Sequence, residues 1–194
     1  MKTQLSIALK FLAVMIVLTG IVYPFLMTVV SQIFFPSKAN GSLIMKDGKI
    51  IGSELIGQKF DSTIYFWSRP SAIAYNPIPS GGSNFGPTSK ALKKQVADRR
   101  VLFATQHSIT DTLSIPKEMI LASASGLDPH ISPQAALMQV DRIVKVRQLD
   151  SNQKQQLLKS IAELSEGPQF SFLGDNRINV LALNLELDKL KNKQ

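Results

Sequence analysis

Phe11–Ser37 reads FLAVMIVLTGIVYPFLMTVVSQIFFPS, an unbroken run of 27 residues without one charge. As a helix rising ~1.5 Å per residue it is about 40 Å long, against a hydrocarbon core of about 30 Å. It therefore has the length to cross a bilayer once, with tilt to spare. A cleavable leader has an apolar stretch of only about 7–15 residues. The run is read as a retained anchor, although Ser37-Lys38-Ala39 would suit a leader peptidase. A core helix of a water-soluble protein would not go this far without a charge.

Inside the run, Pro24 follows Gly20 by four positions. Proline lacks the N–H that would bond to the carbonyl four residues back, and its ring presses on that carbonyl. Glycine relieves the crowding, so Gly20 to Pro24 reads as a helix built to kink. A freed carbonyl is costly in lipid unless a neighbouring helix or a hydroxyl satisfies it. A lone anchor gains nothing from that, whereas a helix packed on other membrane helices does.

The flanks give an orientation. Residues 1–10 carry Lys2, Lys10 and the amino terminus, with no acid, which favours a cytoplasmic N-terminus. Lys38, Lys46 and Lys49 lie just beyond the span, but a domain of this length translocates largely regardless of its charge. The expected organisation is a tail 1–10, a transmembrane helix 11–37 and a soluble domain 38–194 outside the cytoplasm.

Composition narrows the classes. With 44% hydrophobic and 19% charged residues among 194, the chain is too apolar to be disordered throughout. The absence of cysteine removes disulfide scaffolds, thiolate metal sites and cysteine nucleophiles together. The net charge of +8 suggests an anionic partner. Beyond the anchor, however, 20 cations face 14 acids, and only Lys90, Lys93, Lys94, Arg99 and Arg100 cluster. No finger, zipper or aromatic-interleaved basic ribbon accompanies them, so nucleic acid is not an expected partner.

After the anchor, Ser42–Ile51 reads as a hairpin turning at Asp47-Gly48. The β-branched and aromatic run Thr63–Trp67 reads as a strand, and the Pro-, Gly- and Ser-rich stretch Ser68–Thr88 as a long ordered loop. Pro87 is expected to open a helix whose apolar side is Leu92, Val96 and Phe103, and Pro116 a short one through Ala124. Ser132-Pro133 marks a helix start, with Ala136, Val140, Ile143 and Val144 at helical spacing to about Leu149. A further helix runs from Ser151 to about Ser165. Leu181, Leu183, Leu185 and Leu187 alternate with Ala182, Asn184 and Glu186, a period of two that predicts a half-buried strand, with a C-terminal helix as the other option. The expected fold class is a single N-terminal transmembrane helix followed by one α/β (α+β) globular domain.

Three segments hold most of the chemically distinctive residues: Tyr65–Ala72, Ser80–Thr88 and Ser123–Ser132. In the second, Gly81 and Gly86 have phosphate-loop spacing and Thr88 supplies the hydroxyl, but Pro87 replaces the lysine that reaches the phosphates. It is read as a Gly-rich turn before a helix or a partner contact. The third holds Ser123, Ser125, Asp128 and His130 without a nucleophile-elbow motif, so a turn at Asp128-Pro129 followed by a helix cap at Ser132 is the plainer reading. His107 and His130 with Asp128 would make a sparse metal set, and no metal site is expected. Arg69 before Pro70 reads as a structural ion-pair donor. No residue set supplies a convincing nucleophile, base or cofactor cradle.

These runs resemble one family. Leu18–Pro24, Ala39–Ile44, Gly52–Gln58, Arg69–Ala72, Ser80–Asn84, Ser123–Ser132 and Asn179–Asn184, in that order, are similar to the C subunit of the bacterial potassium-transporting ATPase, KdpC. The resemblance covers nearly the whole chain. It implies a non-catalytic subunit of an ATP-driven K⁺ uptake complex in the inner membrane, with a KdpA-like channel subunit, a KdpB-like P-type ATPase and a small KdpF-like peptide as partners. ATP and K⁺ act at the level of the complex, and no cofactor is firmly bound here. The resemblance also implies a catalytic-chaperone role that raises the ATP affinity of the B subunit, which pulls against an external domain. Candidate partner-contact residues are Gly20, Pro24, Arg69, Ser80, Gly81, Gly82, Ser83, Asn84, Ser125, Asp128 and His130. The rival reading is a membrane-anchored extracytoplasmic hydrolase pairing Ser123 or Ser125 with His130.

Overall fold

The protein is described from a computed structural model covering residues 2–191. Its contacts divide it into two compact units, Met1–Ile51 and Gly52–Gln194.

The first unit is dominated by one apolar helix, Lys2–Phe34. It consists of α1 (Lys2–Val17), a π-helical segment at Leu18–Val22, and α2 (Tyr23–Phe34). The expected kink takes this form. Pro24 cannot donate, and widening the preceding turn lets the Tyr23 N–H reach back five residues to the Leu18 carbonyl. Two hydroxyls fold back onto the same helix, Thr19 Oγ1 to the Met15 carbonyl at 2.7 Å and Thr28 Oγ1 to the Pro24 carbonyl at 2.8 Å. No side chain of α1, the π segment or α2 is buried. Phe35 leaves helical geometry, and Pro36–Ala39 forms a single turn, α3. The hairpin follows as expected: β1 (Leu43–Lys46) and β2 (Lys49–Ser53) turn at Asp47 and Gly48, whose φ angles of 52° and 75° suit a primed turn.

The second unit is mainly helical. It contains α4 (Lys90–His107), α5 (Pro133–Arg147), α6 (Ser151–Glu163) and α7 (Val180–Lys191), with one antiparallel ribbon of β3 (His130–Ile131) and β4 (Ile178–Asn179). Phe66, Ile131, Ile143, Leu157, Ile178, Leu183 and Leu187 form the sealed centre of its core. Local chemistry sets the helix starts. Ser132 Oγ accepts from the Ala135 N–H at 3.1 Å, with Pro133 in the first turn. Asp150 and Gln153 close a capping box at 2.7 and 2.9 Å.

Four expectations are corrected. Residues 181–187 are helical: the buried positions Val180, Leu183, Asn184, Leu187 and Leu190 recur at helical spacing, and Leu185 is only half-buried. Leucine, alanine, glutamate and lysine are good helix formers, and three of the four alternating leucines, Leu181, Leu183 and Leu187, are buried on the helix. Asn179 caps this helix through Oδ1, which accepts from the Ala182 N–H at 3.1 Å. Thr63–Trp67 joins no sheet: residues 63–65 turn and bend, and side chains take the place of a neighbouring strand. Pro87 does not open α4. Ser89 does, its Oγ accepting from the Leu92 N–H at 3.4 Å. After Pro116 only a 3-10 turn forms, Lys117–Met119.

Candidate functional site

Residues 63–67 have main-chain groups that a strand would give to its neighbours. Here the neighbours are side chains. The amide of Asn184 on α7 takes both polar groups of Phe66, accepting from its N–H at 2.8 Å and donating to its carbonyl at 3.1 Å. Gln139 on α5 does the same for Trp67, at 2.7 and 3.4 Å. Arg142 donates to the carbonyls of Thr63 and, at 2.8 Å, Tyr65, while Arg147 reaches that of Ile64 at 2.7 Å. Gln139, Arg142 and Asn184 are buried polar groups whose cost is removed by these bonds. The guanidinium of Arg142 also lies 5.0 Å from the centre of the Trp67 ring. Sequence reading missed all three, yet each is a polar residue on an otherwise apolar helix stripe, Gln139 and Arg142 together on α5 and Asn184 on α7, which is the signal that could have found them.

The clamp delivers Arg69, and Pro70 after it disfavours helical geometry there. The Tyr75 hydroxyl donates to the Arg69 carbonyl, and burial pushes its pKa up to about 12. Arg69 Nη1 pairs with Asp128 Oδ2 at 2.6 Å. The other oxygen of Asp128 accepts from the His130 N–H at 3.0 Å and lies 3.5 Å from His130 Nδ1. Burial acts to raise the Asp128 pKa, but the hydrogen bonds from His130 and the Arg69 pair outweigh it and hold it at about 2.

Asp128 belongs to a central loop on which two others lean. The Gly81 N–H bonds to the Ser125 carbonyl at 3.0 Å, and the Gly57 N–H to the Leu127 carbonyl at 2.7 Å. Gly126 has φ of +70°, and a Cβ there would sit 2.5 Å from Ile73 Cγ1 and 2.9 Å from the Gly81 carbonyl. A Cβ on Gly82 would come within 3.1 Å of the Ala124 carbonyl. Arg69, Gly81, Gly82, Ser125, Asp128 and His130 are thus brought together, with Ser80, Ser83 and Asn84 on the same strap. Ser80, Asn84 and Ser125 are exposed, and a cleft of about 590 Å³ opens beside Arg69, Asp128 and His130. Gly20 and Pro24 lie in the other unit.

The set is inward-bonded and close to neutral, so what it offers a partner is its exposed hydroxyls and amide. It is not arranged as a hydrolase. Ser125 Oγ accepts from the Leu127 N–H at 3.1 Å, Ser123 is buried, and among the described residues neither hydroxyl bonds to His130. His107 takes part in a different network: its Nδ1 is 2.7 Å from the Phe103 carbonyl and its Nε2 3.0 Å from Arg142 Nε. Arginine only donates, so Nε2 accepts and the proton is on Nδ1. Burial depresses the His107 pKa to about 4. Among the described residues no group of three or more His, Asp or Glu could hold a metal.

Comparison with known proteins identifies the family. The description "KdpC: K+-transporting ATPase, c chain" matches residues 5–189. The chain is similar to the "Potassium-transporting ATPase KdpC subunit" of Methylococcus capsulatus, 48% identical over 187 residues, covering 95% of this chain and 96% of that one. It is similar to the same subunit of Burkholderia cenocepacia, 47% identical over 192 residues with 97% of each covered, and of Geotalea uraniireducens, 46% identical over 191 residues with 96% and 98% covered. The chain belongs to the KdpC family, the non-catalytic c chain of the K⁺-transporting ATPase, with one N-terminal membrane span.

Proposed function

We propose that this chain assembles with and stabilises the channel-like A subunit and the ATP-hydrolysing B subunit of the potassium uptake complex. Its anchor packs against their helices in the bacterial inner membrane, alongside a small F-like peptide and lipid. Its N-terminus is cytoplasmic and its domain external, docking through Arg69, Ser80–Asn84, Ser125, Asp128 and His130. ATP and K⁺ are handled by the partners. An effect on the ATP affinity of the B subunit then travels through packed membrane helices and not by contact with the nucleotide.

The observation that carries this reading is the π segment ahead of Pro24. It breaks the regular bonding ladder in the middle of a span with no buried side chain. Such a break is favoured where another helix covers it. Gly20 lies within the segment, and a Cβ there meets nothing within 4 Å in this chain.

Co-purification of the complex, normalised to inserted C subunit, tests the proposal. Gly20→Leu keeps the span apolar and should lower recovery of the A and B subunits about tenfold, since small residues govern close helix approach. K⁺-dependent ATPase activity should fall with it. Pro24→Ala should act in the same direction and more weakly. Wild-type recovery and activity for Gly20→Leu would make the anchor a passive tether.

A further inference from the structure

A second cleft, of about 530 Å³, also has Arg69 in its lining and is walled by Phe60, Trp67, Tyr75, Phe103 and Met119. Sites for small organic ligands have this size and an apolar lining with a few convergent polar groups. The potassium-transport role gives this cleft no task.

Its charges balance except for one. Lys59 pairs with Asp61 at 2.8 Å, and Arg69 pairs with Asp128. Tyr75 stays neutral, its hydroxyl donating to the Arg69 carbonyl. Arg99 has no ion pair among the described residues; its Nη1 donates to the Ile120 carbonyl at 3.3 Å. Desolvation lowers its pKa, so this cation is partly out of water without a counter-charge. The buried Nε of Arg69 has no hydrogen-bond partner either. A single acidic group is what this cleft lacks, and a polyanion would overfill it.

We infer that the cleft between Trp67, Phe103 and Arg99 binds a small amphipathic monoanion, an alkyl or aryl body carrying one acidic group. The body lies against the aromatic wall and the acidic group faces Arg99. Two sources offer this chemistry, a soluble organic acid and an anionic lipid of the bilayer.

Trp67 is the only tryptophan of the chain, so its emission reports on the cleft directly. The full chain in phosphatidylcholine nanodiscs is titrated with octanoate, and with octanamide as its uncharged counterpart. Octanoate should give a saturable change that octanamide matches at least about tenfold more weakly, the loss expected for a charge-assisted hydrogen bond. Arg99→Gln should weaken octanoate by a similar factor, while Arg99→Lys, which keeps the charge, should stay within about threefold of wild type. Nanodiscs containing phosphatidylglycerol separate the sources: a shifted emission before any octanoate, absent in Arg99→Gln, assigns the lipid, and an unshifted one assigns the soluble acid. Equal responses to octanoate and octanamide, an unchanged response in Arg99→Gln, or no saturable response would overturn the inference. A response present in the lone chain and lost in the purified complex would also overturn it, because a partner side chain would then be the occupant.

Discussion

The side-chain amide of Asn184 stands in for a β-strand, closing a two-bond ring on the main chain of Phe66, 118 residues earlier, at 2.8 and 3.1 Å. Removing the amide leaves a buried N–H and a buried carbonyl unpaired. Asn184→Ala should therefore destabilise the domain by about 2–6 kcal/mol, from about 1–3 kcal/mol for each orphaned group. Asn184→Asp keeps the acceptor but sets a second carboxylate oxygen against the Phe66 carbonyl and buries a charge, so at neutral pH it should destabilise at least as much as alanine. Urea unfolding of the full chain in detergent micelles measures both, and a loss under about 1 kcal/mol for alanine would show that water replaces the amide.

Stability should fall in mild acid because of His107. Its folded pKa, about 4, is below the ordinary 6.5, so the folded state favours the neutral ring. That contribution is fully present above 6.5 and is lost as pH falls toward 4. Linkage puts the loss between pH 7 and pH 5 at about 2 kcal/mol. Asp128, depressed to about 2, adds its own loss only below about pH 4. Unfolding midpoints measured from pH 7 to 5 should slope for wild type and flatten for His107→Gln. Equal slopes would place the titrating group elsewhere.

Gly126→Ala should loosen the joint between the three loops. The backbone there has φ of +70°, and the added methyl would meet Ile73 and the Gly81 carbonyl. Left-handed strain contributes about 1 kcal/mol, and the collision adds more because one neighbour is backbone. Hydrogen exchange should rise at Gly81 and its neighbours while α5 and α6 keep their protection. Uniformly faster exchange would indicate global unfolding.

Orientation can be read by labelling, since the chain has no cysteine of its own. Gln155 is exposed on α6, and Thr3 lies at the start of α1. An impermeant maleimide added to intact spheroplasts should modify Gln155→Cys and reach Thr3→Cys only after lysis. The reverse pattern would invert the topology.

The anchor, the hairpin and the starts of α5 and α6 were legible because each is written locally: an uncharged run, an Asp-Gly turn, a Ser-Pro cap, a helix beginning at Ser151. The strand expected at Thr63–Trp67 failed because β propensity describes a residue and not its neighbours, and these neighbours are amides on α5 and α7. Leu181–Leu187 misled because alternate leucines fit a period of two and part of a helical stripe equally well. The three distinctive loops could be named from their residues, but not their convergence. That rests on long-range bonds such as Gly81 to Ser125 and Gly57 to Leu127, which no local pattern records.

The π segment in the anchor has a consequence for which sides of the helix are presented. One additional residue within a turn rotates everything after it by about 100° relative to a regular helix. A seam of side chains spaced for a straight partner along α1 therefore does not continue along α2. The two leaflets' halves of this span face different directions, so the anchor is suited to touch one neighbour near one surface of the membrane and a second near the other.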